Sequence, residues 1–171
     1  MLPLLCQPAG NPLRQLLTLN RIGRQGHAGT GAAGNGRAAG LGEMGRDVPA
    51  RMRVLLLEDN FIIALDLAAL VRDAGAEPVG PVATVADALS AAAAGGIDAA
   101  ILDINLGEEN AYAVAEQLQR QAIPFAFATG YSVTDMLPPA CAGAPVLAKP
   151  YSAREVRALL ELLAQGTHPA G

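Results

Sequence analysis

Residues 53–59 read Arg53-Val54-Leu55-Leu56-Leu57-Glu58-Asp59, four consecutive apolar residues running into two acids. Such a run has no amphipathic alternation, so it reads as a strand covered on both faces, as in a parallel sheet. The next periodic stretch supports that reading, with Ile63, Leu67, Leu70 and Val71 at helical spacing before Gly75. Strand and helix patterns then alternate. Val79–Val82 is a weak strand broken by Pro81, and Thr84 opens a second helix, with Asp87 as its capping partner and Val85, Ala88, Leu89 and Ala92 on one face. Ala99–Leu102 is a third strand, followed by a helix through Ala111, Val114, Ala115 and Leu118. Phe125–Ala128 and Pro145–Ala148 are the last two strands. The spacing Ser152-x-x-Glu155 predicts a capping box on a final helix buried through Val156, Leu159, Leu160 and Leu163. The expected fold is an α/β, flavodoxin-like, doubly wound parallel sheet of five strands. Between Thr129 and Pro145, Gly130, Pro138, Pro139 and Gly143 leave room for only a short, mobile fourth helix near residues 132–137.

Outside this pattern the chain changes character. Residues 1–51 are rich in glycine and carry six arginines against two acids, whereas residues 52–171 carry six basic residues against fourteen acids. Few large apolar side chains offset the backbone entropy of the glycines, so residues 1–51 are expected to be disordered. They make a poor signal peptide, because no basic residue precedes Leu2–Leu5. A transit segment and an over-extended start ahead of Met52 both stay open. The expected organisation is therefore an extension over 1–51, a domain over 52–165 and a tail over 166–171.

Composition excludes several functions. The acidic balance of the domain argues against a nucleic-acid surface. No apolar run approaches the roughly 18 residues a spanning helix needs, so a cytoplasmic protein is expected. Cys6 and Cys141 make no disulfide framework, and His27 and His168 make no histidine zinc site. Among twelve basic residues Lys149 is the only lysine, in a chain that otherwise uses arginine.

Ligands of open parallel sheets bind beyond the carboxyl ends of the strands. Those ends carry Glu58 and Asp59, then Asp103, then Thr129, then Lys149. Singly, each has an ordinary explanation: acids near a helix start, a turn aspartate, a Thr-Gly turn, a solvated lysine. Together they describe a crevice of carboxylates that needs a cation, and hard oxygen donors suit Mg²⁺. A hydroxyl and an ammonium beside them suit a phosphoryl group.

This ordered set resembles the receiver domain of bacterial two-component response regulators, over roughly residues 52–165. The stretch Phe125-Ala126-Phe127-Ala128-Thr129-Gly130-Tyr131 resembles receivers with a Phe-Ala-Thr-Gly-Tyr motif, which are often stand-alone proteins. The resemblance implies that Asp103 accepts the phosphoryl group from a sensor histidine kinase or phosphotransfer protein, in a phosphorelay. It implies that Asp59, Asp103 and the Asn105 carbonyl bind Mg²⁺, with Glu58 acting through a bound water. Thr129 and Lys149 would then contact the phosphoryl oxygens, and the Lys149–Pro150 bond would be cis. Since only eight residues follow Leu163, no output domain is expected, and the output would be a protein contact rather than enzymatic turnover. One departure stands out: Val146 occupies the place of the aromatic switch residue. Tyr131, with the short fourth helix, is expected to take part in the response instead.

Three rivals compete. A phosphohydrolase of the haloacid dehalogenase type needs an acid two residues after its nucleophile, where this chain has Asn105. A non-phosphorylated adaptor on the same fold would have little use for three clustered carboxylates. A flavin-binding protein needs a phosphate cradle where Glu58 and Asp59 stand.

Overall fold

A computed structural model describes residues 48–130, 137–141 and 143–166. Tyr131 and residues 132–136 of the expected short helix, like residues 1–47, lie outside the described residues. The elements run β1 (Arg53–Leu57), α1 (Phe61–Asp73), β2 (Glu77–Val82), α2 (Val85–Ala94), β3 (Ala99–Asp103), β4 (Asn105–Leu106), β5 (Glu109–Asn110), α3 (Tyr112–Arg120), β6 (Phe125–Thr129), β7 (Val146–Ala148) and α4 (Ala153–Ala164), with a 3₁₀ turn at Pro139–Cys141.

The five-stranded sheet has the order β2-β1-β3-β6-β7, and every pairing in it is parallel. Strand direction fixes which side chain meets which helix layer. Val54 and Leu56 of β1, Ile101 of β3, Ala126 and Ala128 of β6 and Leu147 of β7 face one core with α1 and α4. Leu55, Leu57, Leu102, Phe125 and Phe127 face the other core with α2 and α3. The apolar run in β1 therefore serves two cores at once. On β6 the division is by size, with alanines under α1 and α4 and phenylalanines under α2 and α3. Phe127 meets Phe125 and Tyr112 edge to face, at centroid distances of 5.5 and 6.1 Å.

The helix starts follow their caps. Asn60 accepts from the amides of Ile62 and Ile63 at 3.1 and 3.3 Å, which starts α1 immediately after the acidic pair. Thr84 caps α2 through the Asp87 amide, and its hydroxyl donates to the Asp87 carboxylate at 2.7 Å. Ser152 and Glu155 form the expected capping box on α4.

Three features differ from expectation. The hairpin β4–β5 is new: its strands have two residues each, too short to show a period, and Gly107 with φ +65° helps close it. Strand β7 begins at Val146 rather than Pro145; the proline carbonyl still accepts from the Phe127 amide at 2.9 Å, but it has no N–H to give. Packing also begins ahead of Met52, since Val48 is buried in the same core. Edge strand β2 carries Pro78 and Pro81, and its register against β1 shifts between Leu55 and Leu57. Gly80 sits there at φ +92°, where a Cβ would lie 2.7 Å from the Val82 amide nitrogen. Beyond that irregularity the Val82 carbonyl accepts from the Glu58 amide at 3.0 Å, which fixes the backbone at the first acid.

Loss of the α4 cap gives a direct test. Ser152→Ala should lower unfolding stability by about 1 kcal/mol in urea denaturation while leaving the circular dichroism of the folded protein unchanged.

Candidate functional site

The order β2-β1-β3 places a topological switch between β1 and β3, because the chain leaves β1 for one edge and returns to β3 on the other side. Glu58 and Asp59 follow β1, and Asp103 is the last residue of β3. Single ligand oxygens from Glu58, Asp59 and Asp103 all lie within 4.8 Å of one another. Glu58 and Asp103 are buried, whereas Asp59 is exposed at the mouth of the crevice. Thr129 ends β6 and is buried, and its carbonyl accepts from the Lys149 amide at 2.8 Å. That bond ties the end of β6 to the lysine beyond β7.

The Lys149 side chain crosses the crevice. Its ammonium donates to Asp103 Oδ2 at 2.7 Å and to Glu58 Oε2. The Lys149–Pro150 peptide is cis. Backbone amides complete the carboxylates: Asn60 donates to Glu58 Oε1 at 3.3 Å, and Asn105 donates to Asp103 Oδ1 at 3.2 Å. The structure therefore brings together Glu58, Asp59, Asp103 and Lys149, with Thr129 joined through its backbone and Asn105 through its amide. The Asn105 side chain is exposed.

Electrostatics follow from burial. Removal from water pushes the Glu58 carboxyl above its usual range; the Lys149 hydrogen bond opposes this, and the Asp103 charge reinforces it. Burial works against the Lys149 charge, yet the hydrogen bonds to Asp103 and Glu58 prevail and raise its ionisation above that of an ordinary lysine. The ammonium thus stays charged throughout the neutral range. Chemically, the site offers hard oxygens for a small divalent cation and one point charge beside Asp103.

Two contributors escaped the sequence reading. Asn60 both caps α1 and donates its amide to Glu58; an asparagine directly before an apolar periodic stretch was the available signal. Tyr151, just after Pro150, is half-buried with its ring against the α1 and α4 core, and a single aromatic after Lys-Pro carries no spacing signal. Cys141 is buried in the α2 and α3 core, and burial raises its thiol ionisation.

Comparison with known proteins places this geometry. SdrG from Sphingomonas melonis Fr1 is 44% identical, over 66% of this chain and 97% of that one, with a TM-score of 0.58. The chain belongs to the response regulator receiver family. SdrG in its BeF3-activated conformation matches at 44% identity over 67% of this chain and 98% of that one, with a TM-score of 0.57. The fold is shared with a response regulator receiver domain from Methylobacillus flagellatus, 24% identical over 67% of this chain and 99% of that one, TM-score 0.59. It is shared equally with the receiver domain of the sensor histidine kinase PA1611 from Pseudomonas aeruginosa PAO1, which holds a magnesium ion in its active-site cleft. That domain is 24% identical over 68% of this chain and 99% of the other, TM-score 0.60. No family model matches the chain, and no curated protein sequence does either. Among the described residues of this receiver, no helix is long and apolar enough to cross a membrane.

A raised folded pKa means that folding favours protonated Glu58. Its stabilising contribution is complete below the unfolded carboxyl value of about 4.3 and is lost as pH rises through the folded value. Glu58→Gln should therefore withstand more urea than the parent at pH 7.5 in metal-free buffer, with the gap closing as pH falls toward about 4.

Proposed function

We propose that this receiver accepts a phosphoryl group on Asp103 from the phosphohistidine of a sensor histidine kinase or a phosphotransfer protein. The observation that carries the reading is the convergence of three carboxylates and the chain's lone lysine on one switch-point crevice. An Asp103 carboxylate oxygen attacks phosphorus, the phosphorus–nitrogen bond breaks, and the imidazole of the donor keeps the electron pair. Positioning and charge neutralisation suffice for such a transfer.

Each residue then has a task. Amide donation from Asn105 orients the Asp103 carboxylate, leaving the other oxygen toward Lys149. The Lys149 ammonium moves its bond from that oxygen to an oxygen of the incoming phosphoryl group. The Thr129 hydroxyl donates to a second phosphoryl oxygen. Glu58, Asp59, Asp103 and the Asn105 carbonyl would hold Mg²⁺, whose hard-oxygen preference fits three carboxylates within 4.8 Å. When bound, the ion offsets the negative charge of the carboxylates and the phosphoryl oxygens. The receiver with magnesium in its cleft from Pseudomonas aeruginosa supports that assignment.

With a small acyl phosphate as donor and Mg²⁺ present, the folded parent should give a retarded band on a phosphate-affinity gel. Asp103→Asn should fall to background, as should the parent in EDTA. A folded parent that binds Mg²⁺ yet takes up no phosphate would overturn the proposal in favour of a non-phosphorylated adaptor.

A further inference from the structure

Glu58 and Asp103 are held in matching ways. Each carboxylate gives one oxygen to the Lys149 ammonium, Oε2 of Glu58 and Oδ2 of Asp103. The other oxygen accepts from the backbone amide two residues further along the chain, Asn60 for Glu58 at 3.3 Å and Asn105 for Asp103 at 3.2 Å. A backbone amide points where its main chain points, so local structure must hold each of them. For Asn105 the hairpin does so, through its pairing with Asn110. Asn60 lies between β1 and α1 and has no strand partner to fix it.

Its own side chain takes that task. Asn60 has φ −83° and ψ 108°, and its Oδ1 accepts from the amides of Ile62 at 3.1 Å and Ile63 at 3.3 Å. These are two of the donors that every helix start leaves without intrahelical partners. One residue thus reaches forward to α1 through its side chain and back to Glu58 through its N–H. On the other side, the Glu58 amide is fixed to the Val82 carbonyl at 3.0 Å. Asn60 is exposed, so its side chain contributes these bonds and no core packing. Of the two donors to the Glu58 carboxylate, Lys149 stands on a flexible stem, whereas the Asn60 amide belongs to the main chain.

We propose that Asn60 is a positioning residue of the cation site: its cap on α1 sets the amide that orients the Glu58 carboxylate, and thereby the affinity for Mg²⁺. The assignment rests on the Mg²⁺ site proposed above. Groups that orient a metal ligand tune its affinity without touching the ion.

Calorimetric titration of the full chain with Mg²⁺ tests this, alongside urea unfolding in metal-free buffer. Asn60→Ala removes the capping oxygen, and its Mg²⁺ dissociation constant should rise roughly fivefold, the worth of one cap. Asn60→Ser keeps a capping oxygen and should return to within about twofold of the parent. Ser152→Ala loses a cap of the same kind on α4. It should lose a similar amount of stability in urea yet bind Mg²⁺ like the parent. Unchanged affinity in Asn60→Ala would overturn the assignment. An equal weakening in Ser152→Ala would do the same, by tracing the effect to general loss of stability, as would failure of Asn60→Ser to restore binding. In those three cases the parent still binds and the metal site stands. A folded parent that binds no Mg²⁺ would overturn both together.

Discussion

The Lys149 ammonium, held between Glu58 and Asp103, is the interaction on which the site depends. Without it, two buried carboxylates would face each other with only one backbone amide apiece, from Asn60 and Asn105. Like charges in such a place repel, and one of them would take up a proton. The positive charge of the lysine offsets that repulsion. It also ties three strands together at one end of the sheet, since its own amide is bonded to Thr129 at the end of β6.

Everything around that bridge serves to place four short strand ends side by side. Val54–Leu57 and Ala99–Leu102, buried between two helix layers, hold the register that positions the acids. The register brings Leu57 opposite Leu102, so the residues that follow each strand emerge together. A one-residue slip between these strands would send Asp103 to the wrong face. The double core makes such a slip costly, because every side chain of the slipped strand would exchange one helix layer for the other.

This is also why so much was legible before any coordinates. Apolar runs of four residues bounded by acids mark doubly covered strands, and the acids that follow mark their carboxyl ends. The capping box at Ser152 and Glu155 and the cap at Thr84 were readable because capping needs particular atoms at fixed spacing. The hairpin at Asn105–Leu106 and Glu109–Asn110 was not readable, as two residues cannot display a period. Tyr151 was hidden for a different reason. Whether a tyrosine hydroxyl is solvated, paired or stranded depends on the surrounding helices, and no local pattern records it. Tyr131 and residues 132–136 fall outside the described residues.

The single lysine in an arginine-rich chain has a physical rationale in this setting. A guanidinium is planar and best satisfied by two parallel bonds to one carboxylate or phosphate. Here the cation must bond two carboxylates on different strands, from a crevice where burial leaves little room. An ammonium is a compact charge with three rotatable donors on a flexible stem, so it can hold Glu58 and Asp103 together and then redirect one donor toward a new oxygen. Arginine would fix the geometry of one state. Lysine leaves the bond to Asp103 exchangeable, and an exchangeable bond is what a site must have if charge arrives at Asp103 and later departs.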